Sequence, residues 1–247
     1  MGNAKSIEMK IYTHTHIGKR KTQQDSFRLN VDSGVFVVCD GVGGSDHGAI
    51  SSQLVSDYIY DNSKIVNNDQ QLINTIIEAN KALKQHLNQN GNGDGHTTLA
   101  IVKFWSEMNL TVFTVGDSRV YIFDTQNRET WHSKDHTMLQ EIIDQGILAK
   151  DVEMKNHPLR HRLTHSIGSA KVIDQTQIAI VKKVLTEHER YIMICTDGVW
   201  ELIENEVLLN ELRMMDTSIF IKKLTELVNN YASDNATFIF IDLNEDV

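Results

Sequence analysis

VFVVCDGVGG, residues 35–44, and YIMICTDGVW, residues 191–200, follow one plan. An apolar run that reads as a buried strand leads through a cysteine to an aspartate and then a glycine. Asp and Gly are favoured turn residues, so either stretch alone reads as a strand running into a turn. Two copies in one chain each set a carboxylate at the end of a rigid element. Glycine beside it lets backbone approach closely, so a carbonyl can join whatever the carboxylate binds.

Outward from these stretches, the pattern predicts helices over 48–62 and 69–89, where Ile50, Leu54, Tyr58 and Ile59, then Leu72, Ile76, Leu83 and Leu87, recur at helical spacing. HTTLAIVKFW and NLTVFTVGDSRVYIFD read as a run of antiparallel strands. QTQIAIVKKV and RYIMIC are two more strands, 203–231 reads as helix, and ATFIFIDL is a closing strand. Helices paired between groups of strands favour an α+β arrangement, antiparallel sheets with helices outside, over regular βαβ repeats.

The chain has 247 residues, 40% hydrophobic and 23% charged, the composition of an ordinary globular protein with a real core. A net charge of -9 argues against nucleic acid or anionic membrane as partner. The two cysteines, Cys39 and Cys195, sit in apolar runs and read as core residues of a reducing compartment. No run is long enough for a membrane span, and no signal-peptide pattern opens the sequence, so a cytoplasmic location is expected. The opening MGNAKS fits the N-myristoylation pattern, with Gly2 and Ser6 at the matching offset, but so short a pattern is often met by chance.

Further aspartates occupy similar places. Asp117 lies at the bend of TVGDSR, Asp234 precedes the last strand in SDNATF, and Asp25 lies in KTQQDS before a strand-like stretch. Converging carboxylates repel one another unless a cation sits between them, and Mg²⁺ or Mn²⁺ accept an all-oxygen shell. Periodicity alone does not bring them together.

In order along the chain, GKRKTQQDS, VCDGVGG, HTTLAIV, VGDSRVYIF, KDHTMLQEIIDQGIL with HPLRHRLTHSIG, ICTDGVWE and SDNATFIFI resemble the motifs of the PPM family. These are the type 2C metal-dependent Ser/Thr protein phosphatases, here in their compact bacterial form. The resemblance implies one phosphatase domain over 1–247, a four-layer α-β-β-α sandwich of two antiparallel sheets flanked by helices, with a flap at about 133–170. It implies two core Mn²⁺ or Mg²⁺ ions bridged by Asp40, with the Gly41 carbonyl on one and Asp197 and Asp234 on the other. Asp25 would lie close by, and Asp117 with Asp197 would hold a third ion. Metal-activated hydroxide would then hydrolyse the phosphomonoester without a covalent intermediate. Arg20 matches the phosphate-holding arginine, whose planar fork suits phosphate; unaided, the triplet Lys19-Arg20-Lys21 reads as surface charge. The expected partners are phosphorylated proteins, opposite a Ser/Thr kinase, with the enzyme a monomer.

One position departs from the family. Its bacterial members usually place histidine directly after Gly-Gly, whereas Ser45 stands here and histidine follows as His47. Either His47 supplies the proton a leaving alkoxide needs, or water does and His47 packs or caps the helix.

Rival readings are weaker. NGNGDG imitates an EF-hand start, but Ile101 falls where Glu is needed. GGSDHG sets Ser45, Asp46 and His47 side by side, whereas a hydrolase triad is assembled from distant residues. Cys195 has no arginine in the following loop to cradle phosphate. His157, His161 and His165 would align for zinc only on a helix, and Pro158 interrupts that period. A non-catalytic phosphoprotein binder would have lost a metal aspartate, and none is lost. A phosphodiesterase or nuclease would want a basic groove.

Overall fold

The computed structural model of the chain describes residues 7–43, 46–90, 95–126, 129–148, 157–169, 173–203, 210–212 and 215–245. One antiparallel sheet has the order β1 (Ile7–His16), β11 (Ala236–Glu245), β10 (Glu189–Cys195), β7 (Arg119–Asp124), β8 (Glu129–His132). The other has β2 (Asp25–Asn30), β3 (Val35–Val42), β5 (Leu99–Phe104), β6 (Asn109–Val115), β9 (Ala179–Val184), with the short β4 (His96–Thr97) beside β3. The helices are α1 (His47–Asn62), α2 (Asp69–Gln89), α3 (Met138–Asp144), α4 (Asp197–Trp200) and α5 (Thr217–Tyr231).

Both faces of the central strands are buried, which is why VFVVC shows no apolar–polar alternation. Phe36 and Val38 of β3 face the other sheet and pack with Ile192, Ile194, Ile239 and Ile241. Val35, Val37 and Cys39 face outward onto Val55 and Ile59 of α1 and Leu72 and Ile76 of α2. Beyond the first sheet, Met193, Cys195, Phe238 and Phe240 pack against Phe220, Leu224 and Val228 of α5. The layers therefore run helix, sheet, sheet, helix, as expected from the sequence. Both cysteines are buried and free.

Several elements differ from their sequence reading. The strand run 96–124 is divided between the two sheets: β5 and β6 form a hairpin in one, and β7 pairs with β10 in the other. The bend at 116–118 is a crossing between layers, and Gly116 takes a φ of +100° there with its Cα side against Thr98. The helix expected over 203–231 is helical at 210–212 and again over Thr217–Tyr231. Asp216 is extended, and its carboxylate accepts the Ser218 N–H at 2.8 Å, which starts a new helix. Gln175–Gln177 form a 3-10 turn closed by a capping box on Asp174, so the ninth strand begins only at Ala179. Gly2, Ser6, Gly44, Ser45, most of NGNGDG and part of the segment 133–170 lie outside the described residues.

Candidate active site

The inner faces of the sheets are apolar until their last residues. On β2 and β3, Phe27 and Val38 give way two residues on to Asp25 and Asp40, which are direct cross-strand partners. Asp25 is buried, and its Oδ2 accepts the Thr196 hydroxyl at 2.9 Å. Burial pushes its carboxyl up to about 7, with the hydroxyls of Thr237 and Thr196 pulling it back part-way and Asp197 and Asp234 raising it. Asp40 is raised well above the usual carboxylate range, by burial first and then by Asp25, Asp197, Asp117 and Asp234.

The backbone of Asp40 is held by the two threonines of HTTLAIV. Its N–H donates to Thr98 Oγ1 at 2.9 Å; its carbonyl accepts the Thr98 N–H and the Thr97 hydroxyl, both at 2.8 Å. Thr98 Oγ1 lies 2.6 Å from Ser118 Oγ, so the same hydroxyl fixes the crossing bend that carries Asp117. Asp117 is buried and also raised, by burial first and Asp197 second. Trp200 Nε1 donates to its carbonyl at 3.0 Å, and the Trp200 ring lies 3.7 Å from the Arg119 guanidinium, which forks onto Asp135 at 2.8 and 2.7 Å.

Asp197 opens α4, immediately beyond β10. Both Asp-Gly glycines are required by close approach: a Cβ on Gly41 would stand 2.1 Å from the Gly48 carbonyl oxygen, and one on Gly198 2.1 Å from that of Asn235. Asp234 lies before β11, and Asn235 ties it to the loop bearing Arg20. Asn235 Oδ1 accepts the Gln24 N–H at 2.8 Å, and its amide donates to the carbonyls of Ile17 and Thr22 at 2.8 and 3.1 Å. Arg20 forks onto Asp234: Nε donates to Oδ1 at 2.6 Å and Nη2 to Oδ2. That bond raises the arginine's pKa further.

A cleft of about 630 Å³ opens here, lined among others by Arg20, Asp40, Gly41, Asp117, Asp197 and Asp234. Asp25 Oδ1 and Asp197 Oδ1 are buried and have no hydrogen-bond partner among the described residues. The raised carboxyls of Asp25, Asp40 and Asp117 and the orphaned oxygens of Asp25 and Asp197 fit hard divalent cations, which would neutralise the cluster and take up those oxygens.

A family model for protein phosphatase 2C matches residues 14–237. The chain belongs to the protein phosphatase 2C family. It is a metal-dependent protein phosphatase. The serine/threonine phosphatase stp of Listeria innocua is 25% identical over 226 residues, covering 85% of this phosphatase and 84% of that protein. The crystal structure of a bacterial serine phosphatase shares the fold, with a TM-score of 0.84 at 22% identity over 97% of this chain and 100% of that one. The catalytic domain of the phosphatase PstP, solved with two manganese ions, also shares it, with a TM-score of 0.77 at 19% identity over 96% of this chain and 99% of that one.

In this 2C phosphatase the sequence-predicted Arg20, Asp40, Gly41, Asp117, Asp197 and Asp234 share one cleft, with Asp25 against Asp40 behind it. His47 is not among the residues lining it. It is the first residue of α1, with Asp46 at the N-cap, and its carbonyl accepts the Ser51 hydroxyl at 2.7 Å. Among the other lining residues, His96 and Glu201 were not singled out in the sequence, and His161 was met there only in the weak zinc reading. His161 lies in a turn and His157 and His165 in irregular chain, none of them on a helix; His165 instead meets His136 edge-on at 5.1 Å.

Proposed function

We propose that this phosphatase hydrolyses phosphoserine and phosphothreonine in protein substrates, with Mn²⁺ or Mg²⁺ as cofactor. Two core ions are assigned to Asp40, the Gly41 carbonyl, Asp197 and Asp234, with Asp25 beside them, and a third to Asp117 and Asp197. The observation that carries this reading is the convergence of buried and half-buried carboxylates at one end of two sheets, Asp40 and Asp117 among them raised well above the usual range, with an arginine at the rim of the same cleft. Held there, divalent ions would supply a water of lowered pKa and would offset charge on the phosphoryl oxygens.

The remaining work falls to the chain itself. Arg20 grips the phosphate: its fork now rests on the two oxygens of Asp234, and a phosphate offers the same two-oxygen edge. Thr97 and Thr98 hold the Asp40 peptide, and Trp200 holds that of Asp117, so the carboxylates are mounted on rigid backbone. Cys39 and Cys195 offer no nucleophile, because burial pushes both thiols up, which supports hydrolysis without a covalent intermediate. Two imidazoles are candidates to protonate the leaving alkoxide: His47 at the start of α1, and His96 on the cleft wall.

The same proposal makes 1–247 one catalytic domain, with 133–170 as a flap beside the cleft. It has the enzyme act in the cytoplasm as a monomer, against a Ser/Thr kinase. Two free buried cysteines support that setting, as does the fact that no described helix is long and apolar enough to cross a membrane. The test is a substrate panel with and without Mn²⁺. A phosphothreonine peptide and p-nitrophenyl phosphate should be hydrolysed only with the ion, and bis-p-nitrophenyl phosphate should resist. Preference for the diester would replace this reading with a phosphodiesterase.

A further inference from the structure

The segment 157–169 is fastened beside the carboxylate cleft at two points. Thr164 N–H donates to the His136 carbonyl and Met138 N–H to that of Arg162, both at 2.8 Å. Further on, Thr97 and Ile167 exchange backbone hydrogen bonds of 2.9 and 2.8 Å, next to the threonine that holds Asp40. Just before the first of these fastenings the chain makes consecutive turns, with Arg160 N–H donating to the His157 carbonyl at 3.1 Å and Arg162 N–H to that of Leu159 at 3.2 Å. These turns bring the His161 ring to the cleft, with Nδ1 3.7 Å from Asp197 Oδ2.

One ligand atom each from Asp117, His161 and Asp197 lies within 4.8 Å of the other two. That is close to the spacing of three donors on one ion, which would draw them inward. The other ring nitrogen, Nε2, lies 3.2 Å from Glu201 Oε1. Glu201 follows Asp197 by one turn of α4, its N–H donating to the Asp197 carbonyl at 2.9 Å. An imidazole that ligates a metal commonly gives its second N–H to a carboxylate, which fixes the tautomer. Arg160 Nε donates to the same Nε2 at 2.8 Å, and Arg160 Nη2 pairs with Glu201. As it stands, then, Nε2 accepts and the ring proton is on Nδ1; ligation through Nδ1 shifts that proton to Nε2, which turns to Glu201 in place of the Arg160 Nε–H, while Nη2 keeps its pairing with Glu201. The buried Asp197 Oδ1, without a partner among the described residues, is an independent indication that this carboxylate serves a ligand.

We propose that His161 Nδ1 is a direct ligand of the ion held by Asp117 and Asp197, with Glu201 orienting its ring. This rests on the reading of Asp117 and Asp197 as holders of a third ion and adds a nitrogen donor to it. A nitrogen donor strengthens a site for first-row transition ions in the order of their affinity, Mn²⁺ least and Co²⁺ more, and does little for Mg²⁺, so the third position is biased away from Mg²⁺. Occupancy also links the segment 157–169 to α4.

The test is pulsed EPR on the full chain loaded with Mn²⁺, with ordinary and ¹⁵N-labelled histidine, beside equilibrium dialysis that counts bound ions. The wild type should bind three ions and show one directly coordinated imidazole nitrogen. In His161→Ala that coupling should vanish, and the weakest ion should bind at least about tenfold less tightly, while the two tighter ions stay. Mg²⁺ binding at the third position should change less than twofold or so. Three bound ions with no imidazole coupling, or unchanged Mn²⁺ affinity in His161→Ala, would overturn the role of His161 alone, provided Asp117→Ala loses the third ion. Three ions retained in Asp117→Ala would overturn the third position itself, and this proposal with it.

Discussion

Removing the cations should expose an unusual pH dependence of stability, and Asp25 is the residue that best reveals it. In the fold its carboxyl rises from 3.8 to about 7 because it is buried among other carboxylates. At about 1.4 kcal/mol per tenfold change in proton affinity, ionising it inside the fold costs about 4 kcal/mol more than in the unfolded chain. A group raised in the fold contributes stability that is present in full below its unfolded pKa and is lost as pH rises through its folded one. For Asp25 the loss therefore runs from 3.8 to about 7. Asp40 and Asp117 are raised too and act in the same direction. Urea unfolding in EDTA should show Asp25 alone removing about 3 kcal/mol between about pH 5 and 8. Asp25→Asn keeps a group that can accept the Thr196 hydroxyl and cannot ionise, so its slope should be shallower by that amount. Saturating Mn²⁺ should reverse the trend, because ion binding displaces those protons. Wild-type stability that rises with pH in EDTA, or an Asp25→Asn slope equal to the wild type, would refute the reasoning.

Arg20→Ala should raise KM for a phosphopeptide about tenfold or more by steady-state kinetics, since a charge-assisted fork to phosphate is lost. Calorimetry should find Mn²⁺ binding no weaker, because the arginine's present partner, Asp234, is freed. Gly41→Ala would set a Cβ 2.1 Å from the Gly48 carbonyl oxygen and should destabilise the fold by about 3 kcal/mol or more; an unchanged melting temperature would contradict that packing. Of the two imidazoles, only His96 lines the cleft. His96→Ala should slow phosphoserine peptides about a hundredfold more than p-nitrophenyl phosphate, whose leaving group needs no acid. His47→Ala should affect both substrates alike, and the opposite pattern would assign the proton to His47.

The buried strands and the carboxylates were legible because each writes a local mark, whereas the four layers came from the family resemblance. Continuous apolar runs announce strands buried on both faces, and Asp-Gly pairs end two of them. Which sheet a strand joins leaves no such mark, so the crossing at 116–118 was invisible in a run that is almost continuously buried on both sides. β1 escaped because it pairs only with β11, and its Thr and His residues lie on a half-exposed edge. β8 is a short edge strand of the same kind. His161 reaches the cleft through turns and two distant backbone fastenings, none of which has a period. Asp216 and Asp174 were missed features with a readable sign, capping aspartates that each accept the N–H two residues on.

The most direct test of the account is phosphate release from a phosphothreonine peptide by wild type and Asp40→Asn, each with Mn²⁺ and with EDTA. Asp40 is half-buried, cross-strand from Asp25, on the wall of the cleft. Wild type with Mn²⁺ should turn over, and the other three conditions should fall by at least about a hundredfold, the equivalent of about 3 kcal/mol of lost transition-state stabilisation. Turnover by Asp40→Asn at the wild-type rate, or by wild type in excess EDTA, would contradict the claim that these carboxylates hold the ions that do the chemistry.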